Sequence, residues 1–278
     1  KTFTTNAIIQ MLKDNNKTFL LFSPTGRAAK VLASYTNEEA STIHRGLGYK
    51  PPFEWGYNEE YKIQADVVIV DEFSMVDIFL AKHLFEAIDF TKTKLLIIGD
   101  NAQLPSVSAG NLLHDIMLSK VVPTTTLTKV FRYGEGGLMT VATDTRQCKP
   151  FLKKGDKRPI IQFGDNKDYS FIQCTSNNIV NNTIKLYEKL LSQGYRPDDI
   201  QVLTAYNKGE CGSVALNNHL QKLANKNYGS KYNIKVGEIT FYPEDLIIQR
   251  VNNYKAELFV EDVFTDKAGM TFIANGEI

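Results

Sequence analysis

The chain has 278 residues, of which 43% are hydrophobic and 23% charged, with a net charge of +1 at pH 7. That length suits two domains, and the composition excludes disordered, collagen-like and low-complexity classes; no apolar run approaches the ~18 residues of a membrane-spanning helix. With so little net charge, a nucleic-acid partner would have to be held by a local groove and not by a global field. Taken in chain order, the first expected element is a helix over Thr4–Leu12, followed by the apolar run Thr18–Phe22 and a helix over Arg27–Ser34. Two further runs, Asp66–Val70 and Lys94–Ile98, flank a helical pattern marked by Val76, Phe79, Leu80, Leu84, Ala87 and Ile88. Short continuous aliphatic runs read as strands buried on both faces, as in a parallel sheet. Strands alternating with helices predict an α/β domain, in which ligands bind at the carboxyl ends of the strands.

A second block starts near residue 121. Leu127–Tyr133 reads as a strand leading into a loop, and Ile179–Gln193 as an amphipathic helix with Gly194 as its C-terminal stop. Ile200–Thr204 reads as another buried strand and Val214–Ala224 as another helix. Past residue 232 the texture changes to strand-like pieces, among them Leu246–Val251, that resemble the start of a small β unit. The cysteines Cys148, Cys174 and Cys211 are scattered, without a CxxC pair, so neither a zinc site nor a disulfide framework is indicated. Scattered thiols suit a reducing, cytoplasmic setting. The opening Lys1-Thr2-Phe3-Thr4-Thr5 does not read as a signal peptide, and a start without Met reads as an incomplete chain.

The strongest chemical signal is Val67-Val68-Ile69-Val70-Asp71-Glu72. A buried strand ending in Asp-Glu is the Walker B pattern, in which the first carboxylate serves Mg²⁺ and the second polarises the attacking water. The alternative is a solvated acidic loop; a retaining glycosidase pair would come from separate elements. The matching phosphate loop, GxxxxGK[ST], would end in Lys-Thr before a helix, and Lys1-Thr2 stands in that position without the glycines.

Four further segments follow in order: Ser23-Pro24-Thr25-Gly26-Arg27-Ala28-Ala29-Lys30, Ser41-Thr42-Ile43-His44-Arg45, Asp71-Glu72-Phe73-Ser74-Met75-Val76-Asp77, and Gly99-Asp100-Asn101-Ala102-Gln103-Leu104-Pro105-Ser106-Val107. Together with Leu127–Arg132, Val202–Gly209 and Asp245–Tyr254, their order and spacing resemble the RecD-like branch of the superfamily 1 DNA helicases. The resemblance spans nearly the whole chain and is densest over residues 18–110. It implies an α/β protein of two RecA-like P-loop NTPase domains with parallel sheets, over 1–120 and 121–240, and the start of a small β-barrel insertion over 241–278.

The resemblance also implies ATP and Mg²⁺ as cofactors. Lys1 and Thr2 would meet the phosphates, with Thr2 and Asp71 at the metal. Asp71, Glu72 and Gln103 would serve hydrolysis, and Arg132 would act as an arginine finger from the second domain. Where relatives carry Gln after that arginine, this chain has Tyr133. Pro24, Thr25, Gly26, Arg27, Thr42, His44 and Arg45 would contact single-stranded DNA, through phosphates and without sequence preference. His44 has a second reading as a packed histidine bonded to backbone. The Lys149, Lys153, Lys154, Lys157, Arg158 cluster reads as a solvated loop or a DNA contact, and Trp55 as a base-stacking group or a cover for the domain edge. The implied activity is ATP-driven 5′→3′ movement on single-stranded DNA in repair or recombination, with other subunits of that process as possible partners and no membrane. Two alternatives remain: a non-catalytic DNA-binding subunit on the same fold, and the helicase domain of a conjugative relaxase. Lacking the glycines before Lys1, this chain by itself is expected not to turn over ATP.

Overall fold

The computed structural model describes residues 2–128, 136–248, 253–258 and 269–273. The chain divides into two compact units, residues 1–128 with 248–278, and residues 129–247.

The first unit opens with α1 (Thr2–Asp14), β1 (Phe19–Ser23), α2 (Gly26–Thr36), β2 (Ala40–Thr42) and the single turn α3 (Ile43–Gly46). It continues with β3 (Val67–Val70), a 3₁₀ turn over Phe73–Met75, α4 (Ile78–Glu86), β4 (Lys94–Ile97) and α5 (Leu112–Ser119). The strands form one sheet in the order β2-β1-β3-β4, and every pair is parallel. Its register sets Phe19 to Phe22 against Val67 to Val70, and those against Lys94 to Ile97.

Alternation along the strands explains why the runs are apolar throughout. Phe22, Val68 and Val70 pack with Ile43, Leu47, Phe73, Leu80 and Leu84. Leu21 and Ile69 point the other way, against Ile9 of α1 and Leu32 of α2. Both faces are thus covered by helices. Gly46 ends α3 against the Phe22 ring, where an added Cβ would lie 2.2 Å from a ring carbon. At the amino edge, Asp66 accepts from the Thr18 backbone N–H and hydroxyl, each at 2.8 Å, and pairs with Lys17 at 3.1 Å.

The second unit contains α6 (Gly137–Arg146), β5 (Ile160–Phe163), β6 (Tyr169–Ile172), α7 (Ile179–Ser192), α8 (Ser213–Ala224), β7 (Ile234–Val236) and β8 (Ile239–Phe241). Its described strands pair as two antiparallel hairpins, β5–β6 and β7–β8. Asp168 caps α6 by accepting from Gly137 and Leu138 N–H at 2.8 and 3.2 Å. Asp245 takes the side-chain amides of Gln221 and Asn225, each at 2.6 Å, and ties the chain after β8 to α8. As the sequence predicts, α7 stops before Gly194, which has a φ of +93°.

The expected buried strand over Ile200–Thr204 does not form, and Leu203 is 87% exposed. A continuous apolar run makes a strand only beside a hydrogen-bonding neighbour. Here Thr204 instead donates its hydroxyl to the Cys211 carbonyl at 2.7 Å, and Ser213 N–H reaches the Tyr206 carbonyl at 2.9 Å. Residues 127–128 and 246–248 are likewise not in a strand, and the rest of those two expected strands, 129–133 and 249–251, lies outside the described residues. Further on, β9 (Asn253–Leu258) and β10 (Gly269–Ile273) pair antiparallel. No helix among the described residues is long and apolar enough to cross a membrane.

Candidate functional site

The carboxyl edge of the parallel sheet gathers most of the residues singled out from the sequence. Ser23 ends β1 and Pro24, Thr25 and Gly26 lead from it into α2, Thr42 ends β2, Asp71 and Glu72 follow β3, and Gly99 to Gln103 follow β4. Because all four strands run the same way, their ends share one edge.

Asp71 is buried, and its surroundings hold the carboxylate in place. Its backbone N–H reaches the Phe22 carbonyl at 2.9 Å, and Ser23 donates to its carbonyl at 3.4 Å. Oδ1 accepts from Glu72 N–H and Oδ2 from the Tyr35 hydroxyl, each at 2.8 Å. Tyr35, in the last turn of α2, also meets the buried Thr5 hydroxyl from the first turn of α1. A chain of hydroxyls therefore links the start of α1 to Asp71. Burial foremost, and then the bond to the Asp71 carboxylate, push the Tyr35 hydroxyl above the usual tyrosine range, so it stays a proton donor. Sequence spacing did not single out Tyr35, since 36 residues separate it from Asp71.

Glu72 adopts a left-handed conformation, φ 55° and ψ 38°. For a residue with a Cβ this costs on the order of 1 kcal/mol, and it turns the chain sharply out of β3 into the 3₁₀ turn. Ser74, in that turn, is a buried hydroxyl without a protein hydrogen-bond partner. Asp71 and Glu72 offer hard carboxylate oxygens of the kind Mg²⁺ takes when nucleotide phosphates supply its other ligands. Among the described residues, no group of three or more His, Cys, Asp or Glu forms a metal cage. Gln103 is exposed on the loop after β4, its N–H bonded to the Asp100 carbonyl at 3.2 Å. Lys1, the Thr2 side chain and Arg132 lie outside the described residues.

On the proposed DNA side, both threonines cap helices. Thr25 Oγ1 accepts from Ala28 N–H at 3.2 Å and Thr42 Oγ1 from Arg45 N–H at 3.2 Å. Each hydroxyl keeps its own proton for another acceptor. Arg27, His44 and Arg45 are exposed on the first turn of α2 and on α3. His44 stands at the surface with its ring stacked on Trp55, centroids 5.5 Å apart at 27°. Partial burial holds it below the usual histidine range. In the second unit, the basic cluster lies on the loop between α6 and β5. Its Arg158 is clamped on Asp156, with Nη2 to Oδ2 at 2.6 Å.

A family profile described as an AAA domain matches residues 1–109. The chain is 30% identical over 266 residues to the ATP-dependent RecD2 DNA helicase of Deinococcus radiodurans, covering 93% of this chain and 33% of the relative. It is 33% identical over 131 residues to the RecBCD enzyme subunit RecD of Haemophilus influenzae, covering 39% of this chain and 20% of that protein. The chain thus spans about a third or less of these relatives' own length. A solved structure of Pif1 helicases at forked double-stranded DNA aligns at 20% identity with a TM-score of 0.35, over 54% of this chain and 42% of that one.

Proposed function

We propose that this chain, which belongs to the RecD-like superfamily 1 DNA helicases, forms the core of an ATP-dependent motor moving 5′→3′ on single-stranded DNA. One observation carries the reading: a single parallel-sheet edge presents both the buried Asp71 with Glu72 and the Thr25 and Thr42 turns. Nucleotide chemistry and strand contact would then share one rigid element. Lys1 and Thr2 would reach the phosphates from the start of α1, and Thr2 and Asp71 would hold Mg²⁺. Bound Mg²⁺ would neutralise the charge that builds on the phosphates. Glu72 would orient and deprotonate the attacking water, and Gln103 would sense the terminal phosphate. Arg132 would stabilise charge in the transition state from the second RecA-like domain, and β9–β10 would begin the barrel insertion. Pro24, Thr25, Gly26, Arg27, Thr42, His44 and Arg45 would grip the strand's phosphates. Partners would be single-stranded DNA and subunits of a repair or recombination complex.

The test is single-stranded-DNA-stimulated ATP hydrolysis by the intact protein, with Glu72→Gln and partial duplexes carrying a tail on either strand end. Glu72→Gln should bind ATP and lose turnover, and only the 5′-tailed duplex should be unwound. Turnover within twofold of the native rate in Glu72→Gln would remove the assignment of Glu72, and unwinding of the 3′-tailed duplex alone would reverse the direction.

A further inference from the structure

Trp55 is the sole tryptophan of the chain, and it lies in a tongue between α3 and β3. The tongue folds back on the end of α3. Tyr57 N–H reaches the Leu47 carbonyl at 3.0 Å, and Lys50 and Glu54 exchange backbone bonds at 2.9 and 3.0 Å. Gly48, at φ +66°, lets the two limbs cross, since an added Cβ would stand 3.3 Å from Gly56 Cα. This closure brings three rings to the indole. His83 of α4 stacks on it at 4.3 Å and 22°, His44 of α3 at 5.5 Å and 27°, and Tyr49 lies 4.6 Å away, tilted by 43°. The indole also packs against the apolar core beneath. Its stacking surface is therefore already occupied by protein rings, which leaves a nucleobase little to stack on.

We propose that Trp55 is a positioning residue that fixes the His44 imidazole at the strand-facing edge of the sheet, with His83 bracing the indole from α4, and that it is not a base-stacking platform. This rests on the reading of His44 as a strand contact. An exposed imidazole on a four-residue helix would otherwise sample several rotamers, whereas one packed on an indole keeps one. The charged and titratable groups around the pair are Asp77 at the start of α4, which favours protonated His44, His83, which opposes it, and Glu86, whose carboxylate lies 3.4 Å from His83 Nδ1.

Side-chain ¹H–¹³C NMR of the four histidines in the 278-residue chain tests the geometry without DNA. The ring protons of His44 and His83 should be shifted upfield by the indole ring current and should relax to ordinary positions in Trp55→Leu. Unshifted protons in the native chain would overturn the stack. Binding of a labelled oligothymidine, followed by anisotropy together with Trp55 emission, tests the role. Trp55→Ala and His44→Ala should each raise Kd by about 2- to 10-fold. The double variant should be no weaker than either single one, and Trp55→Phe should restore binding, because residues acting through one contact are not additive. DNA should leave Trp55 emission nearly unchanged. Strong quenching by DNA, with additive effects of the two substitutions, would overturn the proposal and make Trp55 a stacking platform. If His44→Ala left Kd unchanged, the reading of His44 as a strand contact would fall with its positioning role, while the NMR shifts would still report whether the stack exists.

Discussion

If Asp71 holds Mg²⁺ as proposed, its carboxylate needs a fixed rotamer, and the Tyr35 hydroxyl of α2 restrains it by a bond to Oδ2. Removing that hydroxyl leaves a buried acceptor short of one partner, which costs about 1–3 kcal/mol. Tyr35→Phe is therefore expected to lower the melting temperature of the chain. In the intact protein it should raise the Mg²⁺ concentration for half-maximal ATP turnover by up to about tenfold, with turnover at saturating Mg²⁺ little changed. An unaltered Mg²⁺ dependence would reduce Tyr35 to a packing group. Thr25 poses a different question, because its oxygen already caps α2. Thr25→Ala should cost about 1 kcal/mol of stability, whereas Thr25→Asn keeps a capping acceptor and loses the hydroxyl. Both should weaken single-stranded DNA binding in a titration. Native affinity in Thr25→Asn would leave only the cap. The acidic pair Asp71-Glu72 stands out in the sequence because Walker B is a local pattern, and the structure places both residues at the end of β3. Tyr35 was not, since nothing in a helix's own spacing records which distant carboxylate one of its side chains will reach.

Among the elements, β1, β3 and β4 were legible because burial on both faces makes their runs apolar throughout. The three-residue β2 was not, because Ala40-Ser41-Thr42 carries no apolar pattern and is a strand only through its pairing with β1. The hairpin β5–β6 went unrecognised for a related reason: its burial alternates weakly, with only Ile161 buried in β5. Ile200–Thr204 erred in the opposite direction, an apolar run without a neighbour. At the amino edge, the Asp66 clip joins the starts of β1 and β3. Bonds from Thr18 foremost, and then Lys17, depress the Asp66 carboxyl to about 2. A depressed carboxyl stabilises the fold fully above its unfolded value, near 3.9, and that contribution is lost as pH falls through about 2. The urea midpoint of the native chain should therefore fall between pH 4 and pH 2 more steeply than that of Asp66→Asn. Parallel slopes for the two chains over that window would show that the clip does not contribute.

For the whole molecule, the reading as a motor predicts affinity without base preference. Binding of single strands should weaken with salt at a log–log slope of about −0.7 per phosphate neutralised, equally for oligothymidine and mixed sequences, in a fluorescence titration of the intact protein. Dependence on one sequence would point to base readout and away from translocation. Arg132→Ala should slow hydrolysis far more than it weakens nucleotide binding, since the charge it would meet grows in the transition state; a change confined to nucleotide affinity would remove that role. The strand order β2-β1-β3-β4 has a consequence for how the first unit is made. As the chain leaves the ribosome, β2 can join one side of β1, β3 then joins the other, and β4 adds beside β3. Among the described strands, none has to be inserted between two that are already paired, so each newly synthesised one extends a standing edge. Until β4 arrives, the outer side of β3 is an open ladder of unpaired amides between Val67 and Val70, which makes the interval between residues 70 and 97 the aggregation-sensitive window of its synthesis.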